Sequence, residues 1–189
     1  MSEHAQSGLA GLRDKPFELL REMERLSSLA LGEGISQGAD SKEWVGIGFK
    51  LANEKFLVER SEIREVMMLP AELTRVPGAK DWVAGLANLR GHLLTIIDLR
   101  IFLGAGTSKG IGTGRVLVID SPEMPVGIIV DEVFGFRRFS ESEFTETIPE
   151  TELRCERYMA GACIRGTDVW PILSLNKLLD ASEFQQAAA

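Results

Sequence analysis

Histidine and cysteine are scarce in this sequence. His4, His92, Cys155 and Cys163 are the whole supply in 189 residues. A metal centre needs several such ligands at fixed spacing, and these four have none, so no metal ligand is expected. The two cysteines are too few for a disulfide framework and are expected as reduced thiols, one of them in a strand. His92 falls on a hairpin turn, where an imidazole is solvated rather than catalytic, and His4 lies near the N-terminus. H-E-x-x-H, G-x-S-x-G and G-x-x-x-x-G-K-[ST] are all missing. The glycine-rich stretch GAGTSKGIGTG (104–114) leads into the strand-like RVLVID instead of a helix, so it reads as an inter-strand loop and not a phosphate cradle.

Positive charge is also short. Lys and Arg number 21 against 28 Asp and Glu, a net charge of −7, which argues against the concentrated basic face of a nucleic-acid binder. No run approaches the roughly 18 apolar residues of a membrane-spanning helix. The opening MSEHAQSGLAGLRDK lacks the basic start and apolar stretch of a signal peptide. The expectation is a chain inside the cell with no direct membrane insertion.

What is present is mostly short apolar runs. One helix is expected first, in DKPFELLREMERLSSLALGEG. Asp14 is its N-cap, Pro16 sits in its first turn, and Leu19, Met23, Leu26 and Ala30 form one stripe. GEGISQGADSKE follows as a linker. From Trp44 the pattern becomes β-type: WVGIGFKL, KFLVE, REVMML, WVAGLANLR, LLTIID, RVLVID, VGIIVDEV, YMAGACIR and VWPILSL. Each is bounded by Gly, Pro, Asp or Ser, which points to barrels or sandwiches. The acidic stretch SESEFTETIPETELRCER (140–157) reads as a solvated connection.

An internal repeat sharpens this. A slide of 76 residues lays WVAGLANLRGHLLTIIDLRIFLG (82–104) on YMAGACIRGTDVWPILSLNKLLD (158–180). Trp82 meets Tyr158, Gly85 meets Gly161, Ile96 meets Ile172, and Asp98 meets Ser174, both N-caps for a short helix. The Arg-Gly pair is displaced by one residue, as a shifted hairpin turn would produce. Asp98 and Asp131 both end apolar runs, but DLR and DEV lack the small Thr/Ser-Gly of an aspartyl site, so capping and turn roles are expected for them.

REVMMLPAELTRVPGAKDWVAGLANLRGHLLTIIDLRIFLG (64–104) resembles the core signature of the CheW-like coupling proteins. VGIIVDEVFGF (126–136) and YMAGACIRGTDVWPILSLNKLL resemble that family's later strands and closing hairpin. The PFELL extension, the WVGIGF opening and IIVDEVFGF are most similar to the twitching-motility branch, while Thr95 stands where many flagellar-branch members carry proline. The resemblance implies a mainly β fold of two intertwined five-stranded SH3-like barrels with an N-terminal helix and short helices. It implies a helical extension and linker over 1–42, a CheW-like domain over 43–180 and a tail over 181–189.

The function implied is non-catalytic: an adaptor, without cofactor, joining the cytoplasmic tip of a methyl-accepting chemoreceptor to the regulatory domain of a CheA-type histidine kinase. Such a chain would be cytoplasmic and recruited to membrane-associated receptor arrays. Within that resemblance, Glu65 lies beside Arg90 and holds its guanidinium in a fixed fork. Ile63 and Leu93 are its apolar neighbours in a groove between the barrels, and Val133 and Gly127 belong to the other barrel. Gly85, Gly91 and Gly127 are structural. The alternatives are a flagellar-type coupling protein, a homologue that competes for a receptor without recruiting the kinase, and, from another class, a small-molecule-binding or enzymatic β-barrel.

Overall fold

In the computed structural model, residues 43–106, 114–121 and 124–187 are described. The expected helix beginning at Asp14 lies outside them. Eleven strands occur among the described residues: β1 Trp44–Leu51, β2 Glu54–Glu59, β3 Ile63–Met68, β4 Val83–Leu89, β5 His92–Asp98, β6 Arg115–Ile119, β7 Val126–Val130, β8 Glu132–Phe139, β9 Phe144–Thr145, β10 Met159–Arg165 and β11 Asp168–Leu173. Three short helices join them: α1 Leu99–Phe102, α2 Leu175–Leu179 and α3 Ser182–Gln185.

Two sheets result, ordered β8-β1-β2-β11-β10-β9 and β3-β6-β7-β5-β4. Apart from the short edge strand β9, the two orders are equivalent, hairpin for hairpin. The chain starts in the first sheet, crosses to the second for β3 to β7, and returns for β8 to β11, so the barrels are intertwined. Ile96 pairs with Gly127 in the parallel β5–β7 contact, and Ile172, its repeat equivalent, pairs with Leu57 in the parallel β11–β2 contact.

The repeat extends to backbone detail. Each copy bulges at its glycine, Gly85 and Gly161, with φ of +144° and +140°. Each N-cap amide bonds the carbonyl opening its copy at 2.8 Å, Asp98 to Trp82 and Ser174 to Tyr158. The turns are not shifted, however. Arg90-Gly91 and Gly166-Thr167 are both two-residue turns, still 76 apart, and Arg165 ends β10 instead of entering the turn. The first turn holds positive φ at both positions (+50° and +88°) and the second only at Gly166. The displaced Arg-Gly pair therefore reflects two turn types in one register.

The sheets enclose three cores. The central one takes Phe49, Phe56 and Val58 from one sheet and Leu117, Ile128 and Val130 from the other. Each barrel also has its own interior, around Ile96 and Val116 in one and Leu57 and Trp170 in the other. Strand β7 faces two cores, so all five of its residues are buried.

VGIIVDEV, expected as one strand, is two strands in different sheets, divided at Asp131. Hydrophobic pattern reports burial and carries no mark of a change of sheet. The 140–157 segment is more than a solvated connection, because Leu153 and Cys155 are buried in the central core. Residues 181–187, expected as a tail, fold onto the domain. Phe184 is buried against Trp82 and Phe102, with ring centroids 5.5 and 5.4 Å apart.

Both crossings between sheets carry a carboxylate that grips a short helix. At the first, buried Glu62 accepts from the amides of Leu175 (3.0 Å) and Asn176 (3.2 Å) and from Ser174 Oγ (3.1 Å), at the start of α2. At the second, Asp131 accepts from the Ala52 amide (2.6 Å) and from Arg100 Nη1 (3.4 Å), on α1. Asp98 caps α1 by accepting from the Arg100 and Ile101 amides, the capping role expected of it, whereas Asp131 adds to its expected turn role an ion pair with Arg100.

Candidate functional site

The β4–β5 hairpin turns at Arg90-Gly91. Gly91 has no atom within 4 Å of an added Cβ and is there for its φ of +88°. Arg90 adopts φ +50°, the left-handed region that a side chain with a Cβ seldom enters. Asn88 Oδ1 steadies the turn by accepting from the Gly91 amide at 2.9 Å. The hairpin tip reaches the opposite edge of its own barrel, where Arg90 Nη2 donates to Glu65 Oε2 at 3.0 Å. Arg90 remains 79% exposed at its side chain and Glu65 only 25%, so the carboxylate is the fixed half of the pair.

Beneath the pair runs a groove of about 310 Å³. Glu65, Leu89, Arg90, His92, Leu93 and Pro125 are among its walls. Leu93 is 64% exposed, so the groove offers a bare aliphatic side chain beside a tethered guanidinium. Such a surface can accept a partner that brings an acceptor group and an apolar contact together. His92, expected as a solvated turn residue, opens β5 and lines this groove.

Glu65, Arg90 and Leu93 therefore converge, while Ile63, expected beside them, and Val133, expected from the other barrel, do not line the groove. Ile63 is 1% exposed in the central core, because the bulge between Ile63 and Glu65 turns it inward. Val133 pairs with Phe49 in the other sheet and packs on the central core, away from the groove. Gly127 is in the same sheet as Arg90 and not in the other barrel. A Cβ there would stand 2.6 Å from Val116 and 3.1 Å from Ile96 and Leu94, so it is a packing glycine. Gly85 is structural as well, since a Cβ would meet the Thr74 carbonyl oxygen at 2.7 Å.

The other barrel carries a second arginine fork that sequence reading missed. Arg165, at the end of β10, donates from Nε and Nη2 to the two Glu143 oxygens at 2.6 and 3.0 Å. Its Nη2 also meets the Arg138 carbonyl at 2.6 Å. The available signal was the S-x-x-E spacing of Ser140 and Glu143, a capping box that fixes the carboxylate. Arg165 and the Ser140 amide hold the Glu143 carboxyl down at about 2. A carboxylate lowered in the fold stabilises it above the unfolded value near 4.5 and loses that contribution as pH falls towards 2. Carbon-13 NMR of Glu143 should give a midpoint near 2 in the parent and a higher one in Arg165→Gln, where only the Ser140 bonds still hold it down; equal midpoints would refute the fork. Burial pushes both cysteine thiols up to about 11, so neither is a thiolate at neutral pH.

The family model described as the CheW-like domain matches residues 45–183. Protein PilI of Pseudomonas aeruginosa is 37% identical over 174 residues, covering 92% of this chain and 96% of that protein. The chemotaxis protein CheW of Klebsiella aerogenes is 27% identical over 136 residues, covering 71% of this chain and 81% of that one. Among solved structures, the scaffolding protein TtCheW from Thermoanaerobacter tengcongensis superposes with a TM-score of 0.66 at 21% identity, covering 77% of this chain and 99% of that one.

Proposed function

The chain belongs to the CheW-like family of coupling and scaffold proteins, and from that premise we propose that it is a non-catalytic adaptor. One surface takes the cytoplasmic tip of a methyl-accepting chemoreceptor and another takes the regulatory domain of a CheA-type histidine kinase. Likeness to PilI over nearly the full length of both chains supports the twitching-motility pathway rather than the flagellar one. The adaptor works in the cytoplasm, at membrane-associated receptor arrays. Among the described residues no helix is long and apolar enough to cross a membrane, which suits recruitment by binding. The working unit is the CheW-like domain from residue 43 through the docked segment 181–187, with 1–42 as an extension.

One observation carries the receptor-binding reading. An arginine occupies a left-handed turn position that glycine or asparagine fills at lower cost, and its exposed guanidinium is tethered to a recessed carboxylate above an open groove. An exposed ion pair contributes only about 0–1 kcal/mol to stability, so folding alone does not account for arginine there. In this reading Arg90 and Leu93 touch the receptor and Glu65 is a positioning residue. Ile63 and Val133 contribute through the core beneath and not by contact.

Arg90→Glu should weaken binding of the purified receptor tip by about tenfold or more, roughly 1.4 kcal/mol, with the thermal midpoint nearly unchanged. Unchanged affinity in a folded variant would sink the assignment.

A further inference from the structure

The mouth of the barrel built on β1, β2 and β8 presents a cluster of cations that the groove at Arg90 does not use. Trp170, on β11, is 9% exposed in that barrel's interior. Lys55 Nζ lies 5.3 Å from its ring centroid and the Arg137 guanidinium 5.8 Å. Lys50 stands directly across from Lys55 in the β1–β2 register, a like-charge pairing that weakens a sheet. Gly48 makes room for the indole here. Gly48 pairs with Gly135, and a Cβ on Gly48 would already stand 3.2 Å from the Trp170 ring.

Among the described residues, no ion pair neutralises Lys50, Lys55 or Arg137. Glu132 faces Lys50 across β1–β8, and Asp168 lies at the start of β11, but neither closes on the cluster. In a chain of net charge −7, three cations gathered outside ion-pair distance of Glu132 and Asp168 are a local reversal of sign. The tryptophan face holds two of them in place, so little side-chain freedom is left to lose on binding.

We infer that this barrel mouth is a docking site for an acidic peptide segment of a partner protein, with Lys50, Lys55 and Arg137 receiving its carboxylates over Trp170. The site is separate from the Arg90 groove and does not rest on the receptor reading. Three cations are too few for the backbone of a nucleic acid, whereas they match two or three carboxylates on one extended strand.

The test is NMR titration of the full chain with a hexaglutamate peptide at low salt, following the Trp170 indole N–H and the amides of β1, β2 and β8. Shifts should centre on Lys50, Lys55, Trp170 and Arg137 and weaken as salt rises. The Lys55→Gln/Arg137→Gln variant should bind about tenfold more weakly, while Arg64→Gln/Arg157→Gln, changed elsewhere on the surface, should bind as the parent does. Because the indole packing could suffer in the first variant, Lys50→Gln alone should also reduce affinity, with its thermal midpoint kept. Shifts centred elsewhere, equal binding by these variants, or the same response to inorganic phosphate at equal concentration would overturn the inference.

Discussion

Alanine at Gly161 is expected to destabilise the protein by about 3 kcal/mol, through a clash and a backbone strain acting together. An added Cβ would stand 2.2 Å from the Thr145 carbonyl oxygen, and φ is +140°. That oxygen belongs to β9, which pairs with β10, so relief requires the edge strand to leave the sheet. A loss of that size should lower the melting midpoint by roughly 6–12 °C in a chain of this length. Gly85→Ala, at the equivalent bulge of the first copy, meets the Thr74 carbonyl oxygen at 2.7 Å and should behave similarly. Gly91→Ala provides the contrast. Its φ is +88°, but an added Cβ has open space, so only strain of about 1 kcal/mol is expected. Equal melting midpoints for Gly161→Ala and Gly91→Ala would show that close approach at the bulge does not matter.

Removing Asp131 should have an effect of comparable size for an electrostatic reason. Arg100 and Asp131 are mostly buried, at 12% and 20% side-chain exposure, at the point where the chain returns to its first sheet. Asp131→Ala leaves the Arg100 guanidinium without its carboxylate and the Ala52 amide without its acceptor, a loss of about 3 kcal/mol. Arg100→Met should cost less, because it removes a charge instead of stranding one. The double variant should fall short of the sum of the two by about 1 kcal/mol or more, measured by urea denaturation. Strict additivity would mean that the pair is not coupled and that the crossing is held by packing alone.

These two sites show what the sequence made legible and what it did not. The 76-residue repeat exposed both bulge glycines, both N-caps and the aromatic openings Trp82 and Tyr158, because each is a local requirement repeated at fixed spacing. The crossings were hidden. Nothing local to Glu62 says that it will bond the start of α2, 112 to 114 residues away. Likewise Asp131 looks like a turn residue until α1 brings Arg100 to it. The groove was half legible: Arg90 and Leu93 follow from the hairpin, whereas Glu65, at the far edge of the sheet, was placed beside Arg90 by the family resemblance alone. Ile63 was misplaced because a strand bulge decides which way an apolar side chain points, and alternation alone does not register it. The second fork, Arg165 with Glu143, was missed because its carboxylate lies in a segment whose acidic composition suggested only solvation.

The two similar barrels hold their arginines differently. One arginine sits inside its turn at positive φ, exposed and held by a single bond. The other ends a strand and is held by two bonds to Glu143 and one to a backbone carbonyl.

The most direct measurement of the proposed adaptor role is sedimentation of membranes bearing the receptor with a purified CheA-type kinase, with this chain, without it, and with Arg90→Glu in its place. The kinase is expected to sediment only when the parent chain is present and to stay in the supernatant with the variant. Kinase that sediments equally well without the chain, or equally well with Arg90→Glu, would contradict it.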